Sequence, residues 1–159
     1  MPKPLFYIAL LWLCLSSDLQ AQDPDYVSLN ILGRVMEEGK AVQNQAIVIF
    51  EGNERVDTLL TSKSGKFEYR VKLNAYYTLV FPGRESGYQS LVVDTSIPED
   101  FYYIPTFKCL IQLDQQFDDD LVDKERYEDF PLGIVKYDNE NLRFELDYKY
   151  FRSRILERK

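Results

Sequence analysis

The chain has 159 residues, 19 Lys+Arg against 26 Asp+Glu for a formal net charge of −7, and no histidine. The missing imidazole removes Ser-His-Asp and Cys-His catalysis and His-ligated zinc, and the acidic balance argues against nucleic acid, whose binding depends on neutralising phosphates. Apolar and charged fractions of 45% and 28% are those of a folded chain, and the length suits one domain with an appendage.

Residues 1–22 read as a signal peptide. Lys3 supplies a positive start, and Leu5 to Leu15 is an apolar run of 11 residues closed by Ser16, Ser17 and Asp18. That run is too short to span a bilayer as a helix, which takes ~20 residues, and it has the length of a signal core. Cleavage is expected after Ala21. Cys14 follows Leu13, but the small residue of a lipoprotein cleavage motif is missing before it, so an acyl anchor is not expected. Loss of the leader leaves Cys109 as the only thiol, which excludes an internal disulfide. No Asn-x-Ser/Thr triplet occurs. No later apolar stretch approaches membrane length, so the mature chain is expected to carry no transmembrane span.

From Tyr26 to Asp114 the pattern has period two, broken by turn residues. Val27, Leu29, Ile31 and Val35 alternate with polar residues. Ala46, Val48 and Phe50 share a run with Ile47 and Ile49, which predicts a strand covered on both faces. Val56, Thr58 and Leu60 follow the turn Gly52-Asn53. Phe67, Tyr69, Val71 and Leu73 alternate with charges. Tyr77, Leu79 and Phe81 come next, then Leu91, Val93 and Thr95, then Phe107, Cys109, Ile111 and Leu113. Seven strands without an intervening helical stretch predict an antiparallel sandwich or barrel. Cys109 lies on the apolar side of its strand and reads as a small buried hydrophobe rather than a reactive thiol.

Three stretches resemble the carboxypeptidase regulatory-like domain. They are Gly33-Arg34-Val35 followed by Ala41 to Ile49, the hairpin Thr61-Ser62-Lys63-Ser64-Gly65-Lys66-Phe67, and Gly87-Tyr88 before Val92-Val93-Asp94-Thr95. The resemblance implies a seven-stranded sandwich of the transthyretin type, usually a non-catalytic companion domain and frequent in exported proteins of Gram-negative bacteria. The loop Ala41-Val42-Gln43-Asn44 departs from the family's Pro-Leu-x-Gly form. The zinc centre of a carboxypeptidase and the site of a transthyretin-like hydroxyisourate hydrolase both need histidine. An internal isopeptide bond is equally unexpected, since the first strand has no lysine and the last no asparagine. Gly65 and Phe67 are expected to serve the fold, Gly65 through a positive φ and Phe67 as a core ring.

Asp114 to Asp129 holds eight acids and two bases, a local charge of −6. Asp114, Gln116, Asp118, Asp120 and Glu125 stand at the ligand positions of an EF-hand loop, but Asp119 occupies the place of its glycine and a strand precedes it, so a solvated acidic connector is the reading taken. No carboxylate pair or sugar-stacking platform is singled out, since the one tryptophan, Trp12, lies in the leader. Phe130 to Tyr137 predicts a short strand after a turn. Leu142 to Leu156 predicts a helix with the stripe Phe144, Tyr148, Phe151 and Ile155, capped by Asn139-Glu140-Asn141, with Arg152 and Arg154 near the acidic stretch.

The expected organisation is a signal peptide at 1–22, a mostly β transthyretin-like antiparallel sandwich at 23–114, and an acidic connector, short strand and C-terminal helix at 115–159. The expected role is that of an exported, non-enzymatic binding or scaffolding module of the cell envelope, periplasmic or at the outer membrane or surface, with a protein partner. No catalytic, cofactor or metal residues are assigned. A small-molecule or carbohydrate carrier using the end loops or the aromatics Tyr76, Tyr77, Phe101, Tyr102 and Tyr103 is the alternative, and a hydrolase of unknown type the remainder.

Overall fold

Period-two alternation becomes strand along most of the chain. The computed structural model describes residues 27–83, 88–99, 104–113, 131–147, 149 and 150. The expectations for the leader, the acidic connector, Gly87, Phe101 to Tyr103, Tyr148, Phe151, Arg152, Arg154 and Ile155 fall outside those residues. The strands are β1 (Ser28–Glu37), β2 (Lys40–Ala41), β3 (Ala46–Glu51), β4 (Glu54–Leu60), β5 (Lys66–Lys72), β6 (Tyr76–Pro82), β7 (Tyr88–Asp94), β8 (Phe107–Gln112), β9 (Gly133–Asp138) and β10 (Arg143–Leu146).

They form two sheets. In the first, β1 is central, with Ile31 opposite Tyr69 of antiparallel β5 and opposite Phe107 of parallel β8. Met36 lies opposite both Ala41 and Gln112, which puts β2 on the β5 side. The second sheet runs β10-β9-β7-β6-β3-β4, antiparallel except for the parallel pair β7 and β9. The sandwich is as expected, but it is not purely antiparallel. No crossover helix is needed for the two parallel pairs, because the chain visits the other sheet in between: β3 and β4, then β6 and β7, before it returns as β8, and β8 before it returns as β9.

Alternation sorts the side chains into a shared interior. Leu29, Ile31, Val35, Ile47, Ile49, Leu79, Phe81 and Val93 are fully buried, and such burial is the main force holding the sheets together. The opposite face of β3, with Ala46, Val48 and Phe50, is half-buried rather than covered. Flanking strands shade it, and no second layer packs there among the described residues. Two threonines are buried as well. Thr61 accepts from Gln45 N and donates to Val42 O, and Thr95 accepts from Ala75 N at 2.9 Å, so neither hydroxyl carries an unpaid desolvation cost.

Two glycines fix how β5 meets β1. Gly33 faces Phe67 across the ladder, and a Cβ there would collide with the Phe67 ring, which lies over the bare backbone. Gly65 has φ +73°, donates to Ser62 O and accepts from Val35 N at 2.8 Å. A Cβ on it would sit 2.5 Å from Val35 O. The hairpin thus needs glycine for both conformation and close approach.

The tail corrects the sequence reading. Residues 143–146 are strand β10, antiparallel to β9, not the start of a helix. Asn139 to Leu142 is the hairpin loop, not a helix cap. The Asp138 carboxylate accepts from the backbone of Glu140 and Asn141 and from Asn141 Nδ2, and Leu142 takes φ +51°. Phe144 keeps its buried place by another route, its ring set edge-on to Tyr137 at 5.5 Å. The physical reason is that β9 offers an open ladder, and tertiary pairing outweighs the helical spacing of a few apolar residues. Beyond β10, the N–H groups of Lys149 and Tyr150 donate to Asp147 Oδ1.

Candidate functional site

Edge strands expose unpaired backbone groups, so their treatment marks where another chain can add. At one end of the second sheet, β4 is guarded. It bears Glu54, Arg55 and Asp57, and a register shift opposite Ile49 and Phe50 kinks its ladder. Asp57 Oδ1 accepts from Thr58 N at 2.6 Å, and Arg55 donates to the Thr58 hydroxyl. Local side chains thereby occupy polar groups that an incoming strand would use.

The other side of the sandwich is built differently. There β8 pairs with β1 alone and β10 with β9 alone among the described residues. Leu113 N donates to Met36 O, and in a parallel ladder this parity turns the N–H and C=O of Lys108, Leu110 and Gln112 away from β1. Between the two edges lies a cleft of about 660 Å³. Leu91, Leu132, Phe144 and Leu146 contribute from the second sheet, and Phe107 and Ile111 from β8. Arg143 and Glu145, ion-paired to each other, stand at its rim.

Cys109 lines this cleft. Burial alone pushes its thiol from 9.0 up to about 11, so it stays protonated at neutral pH and is a poor nucleophile. It therefore acts as a small apolar wall, as the alternation implies. Beyond the cleft, Lys136 Nζ meets Asp147 Oδ2 at 2.6 Å, and this hydrogen bond holds the Asp147 carboxyl below the usual carboxylate range despite partial desolvation. That pair ties the end of β10 to β9.

The aromatic pair does not form a platform. Tyr76 is exposed, while its neighbour Tyr77 points into the core and donates to Glu51 Oε2. Burial raises the Tyr77 phenol to about 12. Among the described residues there is no group of three or more metal-ligating side chains, and no helix long and apolar enough to cross a membrane. The cleft escaped sequence reasoning because its walls come from strands distant in the chain. The one local sign is Leu110, an apolar residue 59% exposed on the polar face of β8.

No family model matches the chain, and no curated protein matches it. Among solved structures it is similar to a DUF3823 family protein from Parabacteroides merdae ATCC 43184, 16% identical over 57% of this chain and 46% of that one, with a TM-score of 0.35. It is also similar to catechol 1,2-dioxygenase from Acinetobacter sp. ADP1, 11% identical over 76% of this chain and 48% of that one, with a TM-score of 0.35. The chain thus spans about half the length of each.

Proposed function

We propose that the chain is an exported, non-catalytic binding module of the cell envelope, and that it takes an extended segment of a protein partner along the β8 edge. The observation that carries this reading is the contrast in edge chemistry: outward backbone groups on β8 beside a cleft of mixed apolar and polar lining, against the blocked β4. A strand added to β8 would place alternate side chains over Leu132, Phe144 and Leu146, with main-chain hydrogen bonds giving affinity and the cleft giving selectivity. Export rests on the leader at 1–22, and the absence of histidine supports a non-enzymatic role. The resemblance to the carboxypeptidase regulatory-like domain is part of the same proposal; Gly65 at positive φ and buried Phe67 hold the positions that the hairpin motif requires.

Capture from an envelope fraction with the tagged chain tests it, comparing the native sequence with Leu146→Arg. Leu146 is 42% exposed at the cleft mouth, so the substitution changes the cleft without opening the core. A discrete protein held by the native chain and lost from the variant supports the reading; equal capture by both, or none by either, overturns it. The carrier alternative is favoured by the volume of the cleft, about 660 Å³, which is within the range of small-ligand sites. Saturable uptake of a small apolar probe that Leu146→Arg abolishes, without capture of any protein, would replace the first reading by the second.

A further inference from the structure

The outer face of the first sheet has the opposite charge to the molecule. It carries Lys66, Arg70 and Lys72 from β5, Arg34 from β1 and Lys108 from β8, all exposed, against the single carboxylate of Glu68. Five cations and one anion give this face +4, in a chain whose total is −7. The cations lie where the ladder makes them neighbours. Lys66 stands directly opposite Arg34, a like-charge cross-strand pair that disfavours the folded sheet. Glu68 sits opposite Leu32 rather than opposite a base, and it accepts from Asn30 Nδ2 at 2.9 Å. Among the described residues, the side chains of Lys66, Arg70 and Lys108 have no ion-pair or hydrogen-bond partner. Arg34 Nε donates to Ser64 O of the hairpin at 3.0 Å, and among the described residues Lys66, Arg70 and Lys108 leave a cationic surface that the one carboxylate does not balance.

We propose that this face docks on an anionic lipid bilayer. Headgroups diffuse laterally to meet cations wherever they stand on a sheet face; an acidic protein would need carboxylates fixed in the same array. Two further features match a bilayer. Leu110, opposite Arg34 and 59% exposed, projects from among the cations as an apolar contact for the headgroup boundary. Between the hairpin and β8 the face dips into a depression of about 430 Å³, lined by Ser62, Lys66 and Lys108 with Leu32 and Gly33 beneath. Its two lysines and one hydroxyl suit a lipid phosphate, although Glu68 also borders it. The net negative charge does not forbid docking, because charges more than a Debye length of about 8–10 Å from the surface are screened at physiological salt.

Lys108 and Leu110 also border the β8–β10 cleft, whereas Lys66 and the rest of the depression lie outside it, and the test separates the two sites. The full chain is sedimented with vesicles of phosphatidylglycerol in phosphatidylcholine and with phosphatidylcholine alone. Binding to the anionic vesicles only, weakening with added salt, is expected. Lys66→Gln with Lys108→Gln should lower the partition about 25-fold, at about fivefold per lysine. Leu110→Ser should lower it less, while Arg55→Gln on β4 and Leu146→Arg in the cleft should leave it unchanged. Thermal melts confirm that each exposed variant is folded. No preference for anionic vesicles, equal binding by the double lysine variant, or binding to polyglutamate without binding to vesicles overturns the proposal. Displacement from vesicles by an equimolar amount of inorganic phosphate would also overturn it, since a single phosphate cannot replace a charged surface.

Discussion

The edge at β4 and the edge at β8 each pair with one strand among the described residues and are chemically unlike. On β4 a kinked ladder, three charged residues and an Asp57 carboxylate over Thr58 N refuse a further strand. On β8 the outward backbone groups stand beside a cleft with an apolar wall of Leu132, Phe144 and Leu146, and Lys108 is the one charge on the strand. A chain under pressure only to stay soluble would guard both edges. On the proposed reading, the guarded edge serves solubility and the unguarded one serves contact.

The comparison can be broken most severely at the cleft wall. Phe144 is buried and lines the cleft, so Phe144→Ala is expected to lower the unfolding free energy by about 3–5 kcal/mol. Val56→Ala on β4, where the side chain is 43% exposed, should stay within about 0.5 kcal/mol. Denaturant midpoints measure both, and similar small values would mean that β10 does not pack as a cleft wall.

Next in size is the support behind β8. Gly65→Val forces a β-branched residue to positive φ and drives Cβ towards Val35 O of the strand that carries β8. A loss of about 2–3 kcal/mol is expected from urea melts.

A smaller effect depends on pH. Burial raises the Cys109 thiol from 9.0 to about 11. Between those values the unfolded chain has lost its proton and the folded chain keeps it, so the contribution is complete below about pH 9 and is lost as pH rises through 11. Tyr77, raised to about 12, extends the decline to higher pH. Cys109→Val should flatten the alkaline fall between the two thiol values, by about 1–2 kcal/mol. An unchanged slope would place the thiol in water, outside the cleft wall.

The smallest stability effect falls on the guarded edge. Asp57→Ala frees Thr58 N and removes a charge, at about 0.5 kcal/mol. Its sharper consequence is self-association that grows with concentration, read by sedimentation velocity; a variant that stays monomeric would show that Asp57 is not a guard.

Most of the fold was legible because alternation reports the inner face directly. Leu29, Ile31, Val71, Leu79, Phe81 and Val93 were all placed by period two, and all are buried. Phe144 was expected to be apolar and packed, but on the wrong element. Its neighbours allow a strand or a helix, and the open ladder of β9, invisible in a local window, decides between them. The parallel pairs were missed for a related reason: connections through the other sheet leave no local mark. The cleft could not be read because it is made by strands far apart in sequence. The cationic face was hidden because a total of −7 averages over it.

The central claim, that the β8–β10 side receives the partner while β4 excludes it, is tested most directly by site-specific photo-crosslinking in an envelope fraction. A photoreactive residue is placed at Leu146, in the cleft, or at Val56, on the guarded edge. The account predicts a discrete protein adduct from Leu146 and none from Val56. Adducts from Val56 instead, equal adducts from both positions, or none from either would contradict it.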